Sequence, residues 1–308
     1  MHMTFRQMRL FLALADTGSV TAAAKKMHVT QPTASDQLRE ITATVGLPLY
    51  EVISKKVYLT DLGKELAQTV RRIVTEWEAF TQIRDATRGL AHGRLRIAAV
   101  STAKYFIPRL VGEFCKKHPA IDVSLEILNR DGVLSRLREN LDELYIMSMP
   151  PTDLELSDAV FMDNPLVMIA PKNHPLTKQK SIAGVKLKAE RFILRERGSG
   201  TRMACDRQFS QMHFQPQIRL ELGSNEAIKE AVAGGLGLGV ISLHALPKSV
   251  SKTEIALLDA KGFPIASRWH IVHPANRTLS PVAAAFKAEL LFGSSIDKKS
   301  PGRLTRGI

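Results

Sequence analysis

The run from Ser19 to Leu38, SVTAAAKKMHVTQPTASDQL, leaves few folds open to the first sixty residues. Ser19 stands where a helix cap is wanted, and Ala22, Ala23 and Ala24 behind it leave room for another helix to cross at close range. The connection HVT then ends on Thr30, a second cap. Pro32 falls in the first turn of the helix that follows, where its missing N–H removes no interior hydrogen bond. Upstream, Phe5, Met8, Leu12 and Ala15 recur at helical spacing, with Phe11 and Leu14 widening the stripe and Gly18 closing it.

In the third helix, Ala34, Leu38, Ile41 and Val45 form a narrow apolar face, while Pro32, Thr33, Ser35, Asp36 and Arg39 point elsewhere. Small polar groups at an exposed helix N-terminus approach base edges in a major groove without obstruction. Gln31 is suited to paired hydrogen bonds with adenine, Thr33 and Ser35 to a base or phosphate, and Arg39 to the backbone. Asp36 repels phosphate unless it accepts from cytosine or a nearby lysine or arginine holds it. An ordinary three-helix core explains this segment equally well, and the next one tips the balance. Gly46 ends the helix, and PLYEVISKKVYLT predicts a hairpin, or wing, with Lys55 and Lys56 placed to contact phosphates. The formal charge of +13 points the same way, toward a polyanion, although a basic surface without a partner has the same charge.

From Asp61 to about Thr87, Leu62, Leu66, Val70, Ile73, Val74, Trp77, Phe80 and Ile83 make a long apolar stripe at three- and four-residue intervals. That is more hydrophobic surface than the small preceding domain needs. Pairing with a second copy buries it and sets two reading helices side by side on promoter DNA with a two-fold related site. Packing within one subunit is the alternative.

The stretch FLALADTGSVTAAAKKMHVTQPTASDQLREITATVGLPLYEVISKKVYLTDLG resembles the N-terminal domain of the LysR-type transcriptional regulators. The resemblance implies a winged helix-turn-helix over 1–60, with base-contacting residues at Gln31, Pro32, Thr33, Ser35 and Arg39, and a linker and dimerisation helix over 61–90. The wing departs from the family pattern, since many members carry an arginine after the aromatic-acid pair where Val52 follows Tyr50 and Glu51 here.

After a glycine-rich hinge at 89–93, strand and helix alternate: RLRIAAV, a helix over Tyr105 to His118, IDVSLEIL, GVLSRLREN, LYIMSM. Such alternation predicts a mostly parallel sheet covered by helices, with ligands near the strand ends, at Ser101, Thr102, Ser148 and Met149. A second unit starts near Pro165 with strands LVMIAP, RFILRE, IRLELGS and GLGVIS. The cluster RERGSGTR places Arg195, Arg197 and Arg202 beside Ser199, Gly200 and Thr201, a set able to hold phosphate or carboxylate. A solvated basic loop explains the same letters. Ser224 and Asn225 cap a further helix nearby, with Glu226 expected to point outward. In GGLGLG a helix leads through glycines into a strand, the reverse of a dinucleotide fingerprint, and the histidines show no compact metal spacing.

The family resemblance implies a two-lobed α/β effector domain of the type 2 periplasmic-binding-protein kind. Lobe I is expected over 91–164 and 269–295, lobe II over 165–268, and a basic, flexible tail over 296–308. The stretch from Ser101 to Pro151 is similar to the CbbR-type members that control carbon-fixation (RuBisCO) operons, whose effectors are phosphorylated sugars or acids and NADPH. This resemblance implies an activator with no enzymatic activity and no fixed cofactor. Its reversible small anionic effector is expected to contact Ser101, Thr102, Lys104, Ser148, Arg195, Arg197, Thr201, Arg202 and Asn225. It also implies a homodimer assembling to a homotetramer. Two isolated cysteines, the absence of a leader-like start and the lack of a long apolar stretch fit a cytoplasmic protein with no membrane partner. A metabolic enzyme or a pure metabolite-binding protein is the rival reading for the two-lobed part, and the N-terminal domain counts against it.

Overall fold

The computed structural model describes residues 2–54, 56–86, 93–247, 249–250 and 253–297. Two compact units divide the chain near Arg84. The first begins with α1 (Phe5–Thr17), held by a reciprocal cap in which the Gln7 amide N–H donates to Thr4 Oγ1 and the Thr4 N–H donates to Gln7 Oε1. Next come α2 (Val20–Lys26), capped by Ser19, and α3 (Gln31–Val45), capped by Thr30 and ended by Gly46 in the left-handed region. Ala23, Ala24 and Ala34 are fully buried with Leu10, Phe11, Leu14, Leu38 and Ile41, so the small residues let the helices cross closely. Strands β1 (Tyr50–Ile53) and β2 (Lys56–Leu59) pair antiparallel as the wing.

Helix α4 (Asp61–Ala86) follows. It buries Ala67, Val70 and Val74, yet leaves Leu62, Ile73, Trp77 (55% exposed) and Phe80 (56%) open to water. Trp77 lies with its ring 5.8 Å from those of both Phe5 and Phe80, so these three exposed aromatic residues form one patch. The expected hinge at 89–93 falls largely outside the described residues, as does the end of the expected linker helix.

The second unit contains, in order, β3 (Gly93–Val100), α5 (Ile107–Lys117), β4 (Ile121–Leu128), α6 (Arg130–Arg138), β5 (Leu144–Met147) and β6 (Leu156–Asp163). Then come β7 (Leu166–Pro171), α7 (Gly184–Leu187), β8 (Arg191–Arg195), α8 (Gly200–Gln211), β9 (Gln217–Leu222), α9 (Asn225–Ala233) and β10 (Leu238–Ser242). It closes with β11 (Ile255–Leu257), β12 (Arg268–Pro274) and α10 (Pro281–Asp297). Two five-stranded sheets result, in the orders β4-β3-β5-β12-β6 and β11-β7-β10-β8-β9. The return strand β12 runs antiparallel to β5 and β6, which joins the late part of the chain to the first lobe. Its Trp269 and Ile271 are buried with Leu95, Ile97, Phe114 and Phe286, each contributing roughly 1.5–3 kcal/mol by leaving water.

The sheets are mixed rather than mostly parallel. Only β4-β3-β5 and β10-β8-β9 run parallel; β12 pairs antiparallel with β5 and β6, and β7 with β10 and β11, each joining segments far apart in sequence. The helix expected from Tyr105 starts at Ile107, since Ser101–Tyr105 forms a 3₁₀ turn. Gly237, at φ +151°, lies so near the Arg191 carbonyl that a Cβ would come within 2.2 Å of its oxygen. The GGLGLG run is therefore a helix end and a tight backbone approach to β8. No described helix is long and apolar enough to cross a membrane.

Candidate functional site

The reading unit presents the N-terminal end of α3. Gln31, Pro32, Thr33 and Arg39 are exposed and Ser35 is half-buried, while Ala34 and Leu38 on the other face anchor the helix in the core. The exposed groups are held before any partner arrives. Gln31 Nε2 donates to Ser35 Oγ (3.0 Å), the hydroxyls of Thr30 and Thr33 share a hydrogen bond (2.8 Å), and Arg39 pairs with Asp36 at 3.3 Å. The last contact supplies the cation that Asp36 requires near phosphate. Lys56 is exposed at the start of β2; Lys55 lies outside the described residues.

One basic concavity of this unit is missing from the sequence reading. Arg6, Arg9, Lys26 and His28 line a hollow of about 330 Å³ with Phe5 and Met27. The three-residue spacing of Arg6 and Arg9 on α1 places both on one helix face, a signal available in the sequence. Such a hollow suits phosphate.

In the second unit, the ends of β3 and β8 bring the predicted residues together across the two lobes. Arg195 is only 3% exposed. Its Nη1 donates to Thr102 Oγ1 (3.2 Å) and Asn225 Oδ1 (3.4 Å), and its Nη2 to Ser101 Oγ (3.2 Å). Asn225 Nδ2 also donates to Thr102 Oγ1, at 3.3 Å. The charge of Arg195 is met by a two-pronged pair with Glu196, at 2.7 and 2.8 Å. Ser101, Thr102, Arg195 and Asn225 thus form one polar centre that ties lobe I to lobe II.

Lys104 and Tyr105 make a second tie. Both donate to Glu226, at 2.9 and 2.6 Å, and the Ser224 hydroxyl adds a third bond at 3.2 Å. Burial disfavours the Glu226 carboxylate, but the donors outweigh it and hold the group down to about 2. Burial, joined by the bond to Glu226, pushes the Tyr105 phenol well above its ordinary range. Glu226 therefore does not point outward as expected; it reaches the other lobe, because two donors there offer more than water does.

The RERGSGTR cluster does not act as one basic loop. Arg202 is buried and its charge is spoken for: it bonds Asp206 (2.9 Å), Glu221 (2.9 Å) and the Arg195 carbonyl (3.0 Å). Arg197 stands 85% exposed, 3.7 Å from Glu221. Ser199 caps α8 by accepting the Arg202 N–H, and Thr201 is buried behind it. Ser148, at the end of β5, presses on the start of α8, where a Cβ on Gly200 would meet its Oγ at 2.6 Å. Arg130, which the sequence reading passed over, begins α6 and donates to the Met149 carbonyl at 2.8 Å. Burial lowers its affinity for the proton. Among the described residues no group of histidine, cysteine or carboxylate side chains is arranged to hold a metal.

Comparison with known proteins covers both units. The family model for the bacterial regulatory helix-turn-helix protein, lysR family, matches residues 5–64, and that for the LysR substrate binding domain matches residues 88–292. The HTH-type transcriptional activator CmpR of Synechocystis sp. is 42% identical over 92% of this chain and 93% of its own. The RuBisCO operon transcriptional regulators of Acidithiobacillus ferrooxidans and Allochromatium vinosum are 43% and 38% identical, over 96% and 94% of this chain and 96% of each relative. Among solved structures, the Synechocystis PCC6803 CcmR regulatory domain in complex with 2-PG is 45% identical, with a TM-score of 0.63 over 66% of this chain and 98% of that one. Full-length CbnR complexed with its target DNA, 22% identical, shares the fold with a TM-score of 0.67 over 95% of this chain and 100% of that one.

Proposed function

Because the chain belongs to the LysR family of bacterial regulatory helix-turn-helix proteins, we propose that it is a cytoplasmic, promoter-binding activator of carbon-fixation genes whose action on DNA is set by a small anionic metabolite. The observation that carries this reading is identity of at least 38% with an activator and two RuBisCO operon regulators, sustained over at least 92% of the chain. The relatives named are regulators and none is an enzyme.

In this reading α3 enters the major groove, where Gln31, Pro32, Thr33 and Ser35 meet bases, while Arg39, Lys55 and Lys56 meet phosphates. The open patch on α4 pairs two copies, which matches a two-fold related site, and the dimers assemble further to a tetramer. The domain limits that go with this reading are 1–60, 61–90, 91–164 with 269–295, 165–268, and a tail over 296–308.

The effector belongs at the polar centre between the lobes. The 45% identical CcmR domain is in complex with 2-PG, and an anion of that class suits the donors of the centre here. It takes over the Arg195 donors now given to Glu196 and recruits Ser101, Thr102, Lys104, Ser148, Thr201 and Asn225, with Arg197 and Arg202 behind. Exchanging Glu196 for an effector changes the bonds that tie the lobes, and so the relative stability of their arrangements. The test is binding to a carbon-fixation promoter fragment and to a scrambled fragment at one fixed salt concentration, with and without 2-PG. Preference for the promoter, altered by 2-PG, is expected; equal affinity for the two fragments contradicts specific regulation.

A further inference from the structure

Helix α4 is pinned to the reading unit at its first turn. The Thr60 hydroxyl donates to the Pro48 carbonyl at 2.8 Å and accepts the Gly63 N–H at 3.0 Å. Gly63 lies so close to the Leu49 carbonyl that a Cβ would come within 1.9 Å of its oxygen, which leaves the start of α4 no room to slide. Further along, Ala67, Val70 and Val74 are buried. Arg71 is drawn in with them. Its side chain is only 11% exposed, and its Nη2 donates to Asp16 Oδ1, on α1, at 2.5 Å. The other oxygen of Asp16 accepts from Lys26 Nζ, on α2, at 3.0 Å. One carboxylate thus ties three helices, and among the described residues neither cation has a second ion pair.

Apolar burial holds α4 to the unit without fixing its direction, whereas a charge-assisted hydrogen bond specifies a distance and an angle. At about 1.5 Å of rise per residue, Arg71 stands roughly 12 Å from Gly63 along the helix, and Arg84 roughly 32 Å. A rod that pivots about its pinned start therefore magnifies a displacement at Arg71 about 2.6-fold at Arg84. Slackening of about 1.3 Å at the ion pair moves the far end by about 3.4 Å, the rise of one base pair. Trp77 and Phe80, on the open patch that pairs two copies in the proposed reading, lie beyond the tie. We infer that the Asp16–Arg71 pair is a positioning contact, which fixes the angle between the reading helix α3 and the pairing surface of α4 and so sets the half-site spacing that a dimer accepts; this rests on the promoter-binding dimer proposed above and names what sets its geometry. Neither residue belongs to the exposed end of α3. Both act through where they put it.

Fluorescence anisotropy of the full-length protein at one fixed salt concentration tests it, with wild type, Asp16→Asn, Arg71→Gln and Arg71→Lys. The DNAs are a carbon-fixation promoter fragment, the same fragment with its half-sites moved closer or farther apart by one and two base pairs, and a single half-site. Wild type is expected to bind its natural spacing at least about tenfold more tightly than the spacings one base pair away. Asp16→Asn and Arg71→Gln lower that ratio to about threefold or less, while their affinity for the single half-site stays within about twofold of wild type. Arg71→Lys keeps a cation within reach of Asp16 and retains most of the selectivity. Each ratio is taken on one protein, so the change in net charge cancels. Selectivity as sharp in Asp16→Asn and Arg71→Gln as in wild type overturns the inference and leaves the dimer reading standing. A fall in half-site affinity as large as the fall on the natural site also overturns it, because the pair then only holds the reading unit together. A wild type indifferent to spacing overturns both the paired reading and the inference built on it.

Discussion

The contact between Glu226 and the pair Lys104 and Tyr105 makes a pH-dependent prediction that the effector hypothesis does not enter. The carboxyl is held at about 2, against an ordinary value of 4.5, by donors that exist only in the folded protein. Its stabilising contribution is therefore complete above about pH 4.5 and lost as pH falls toward 2. Taken at face value, a depression of that size is worth about 3 kcal/mol. The side chains of Glu226 and Lys104 are 46% and 38% exposed, however, and solvent screening reduces the figure to about 1 kcal/mol. Glu226→Gln keeps the shape and removes the charge. Its effect is read by urea unfolding in a Trp77→Phe background, where the only other tryptophan, Trp269, reports on the core of lobe I. The variant is expected to lose about 1 kcal/mol at pH 7 and about half of that at pH 3, converging on wild type as the native carboxyl protonates. A penalty that is the same at both pH values, or absent at pH 7, refutes the reasoning that this charged contact ties the lobes.

Arg202→Ala leaves Asp206 and Glu221 without their buried partner and should cost about 3 kcal/mol, whereas Arg197→Ala at its exposed position stays within about 0.5 kcal/mol; calorimetric melting separates them. Gly237→Ala forces a Cβ toward the Arg191 carbonyl oxygen and should cost about 2 kcal/mol or more in chemical unfolding, while Gly235→Ala, also at positive φ but with open space around it, costs about 1 kcal/mol. In the reading unit, Gln31→Ala should erode discrimination between promoter and scrambled DNA by about 1–3 kcal/mol in competition binding. Lys56→Ala should weaken both DNAs alike and lower the salt slope by about 1.

Much of the architecture was legible because it is written in local chemistry. Ser19 and Thr30 are caps whose side chains accept the backbone N–H groups that a helix start leaves open, and Gly18 and Gly46 end helices in the left-handed conformation they favour. The alanines of α2 and the open stripe of α4 follow from side-chain size and spacing alone. Strands β6 and β11 were not legible: β6 mixes half-buried and exposed residues around a single buried Phe161 along LSDAVFMD, and β11 is three residues long.

The second unit's site was legible as a set of residues and not as a set of charges. The strand ends did bring Ser101, Thr102, Arg195 and Asn225 together. Whether an arginine is free to hold an anion depends on acids supplied by the fold. Glu196 adjoins Arg195 in sequence but acts only because the chain turns it back, and Glu221 reaches Arg202 from another strand. For the same reason the pattern RERGSGTR points to arginines of which two, Arg195 and Arg202, are answered by acids.

The most direct test of the central claim, that an anion exchanged at the Thr102 and Arg195 centre alters how the protein holds DNA, is a footprint of the full-length protein on a carbon-fixation promoter, run with and without 2-PG, for wild type and Thr102→Ala. The account predicts that 2-PG changes the extent or bend of the wild-type footprint, and that Thr102→Ala keeps the unliganded footprint and loses the response. A footprint indifferent to 2-PG in the wild type, or a response undiminished by the substitution, contradicts it.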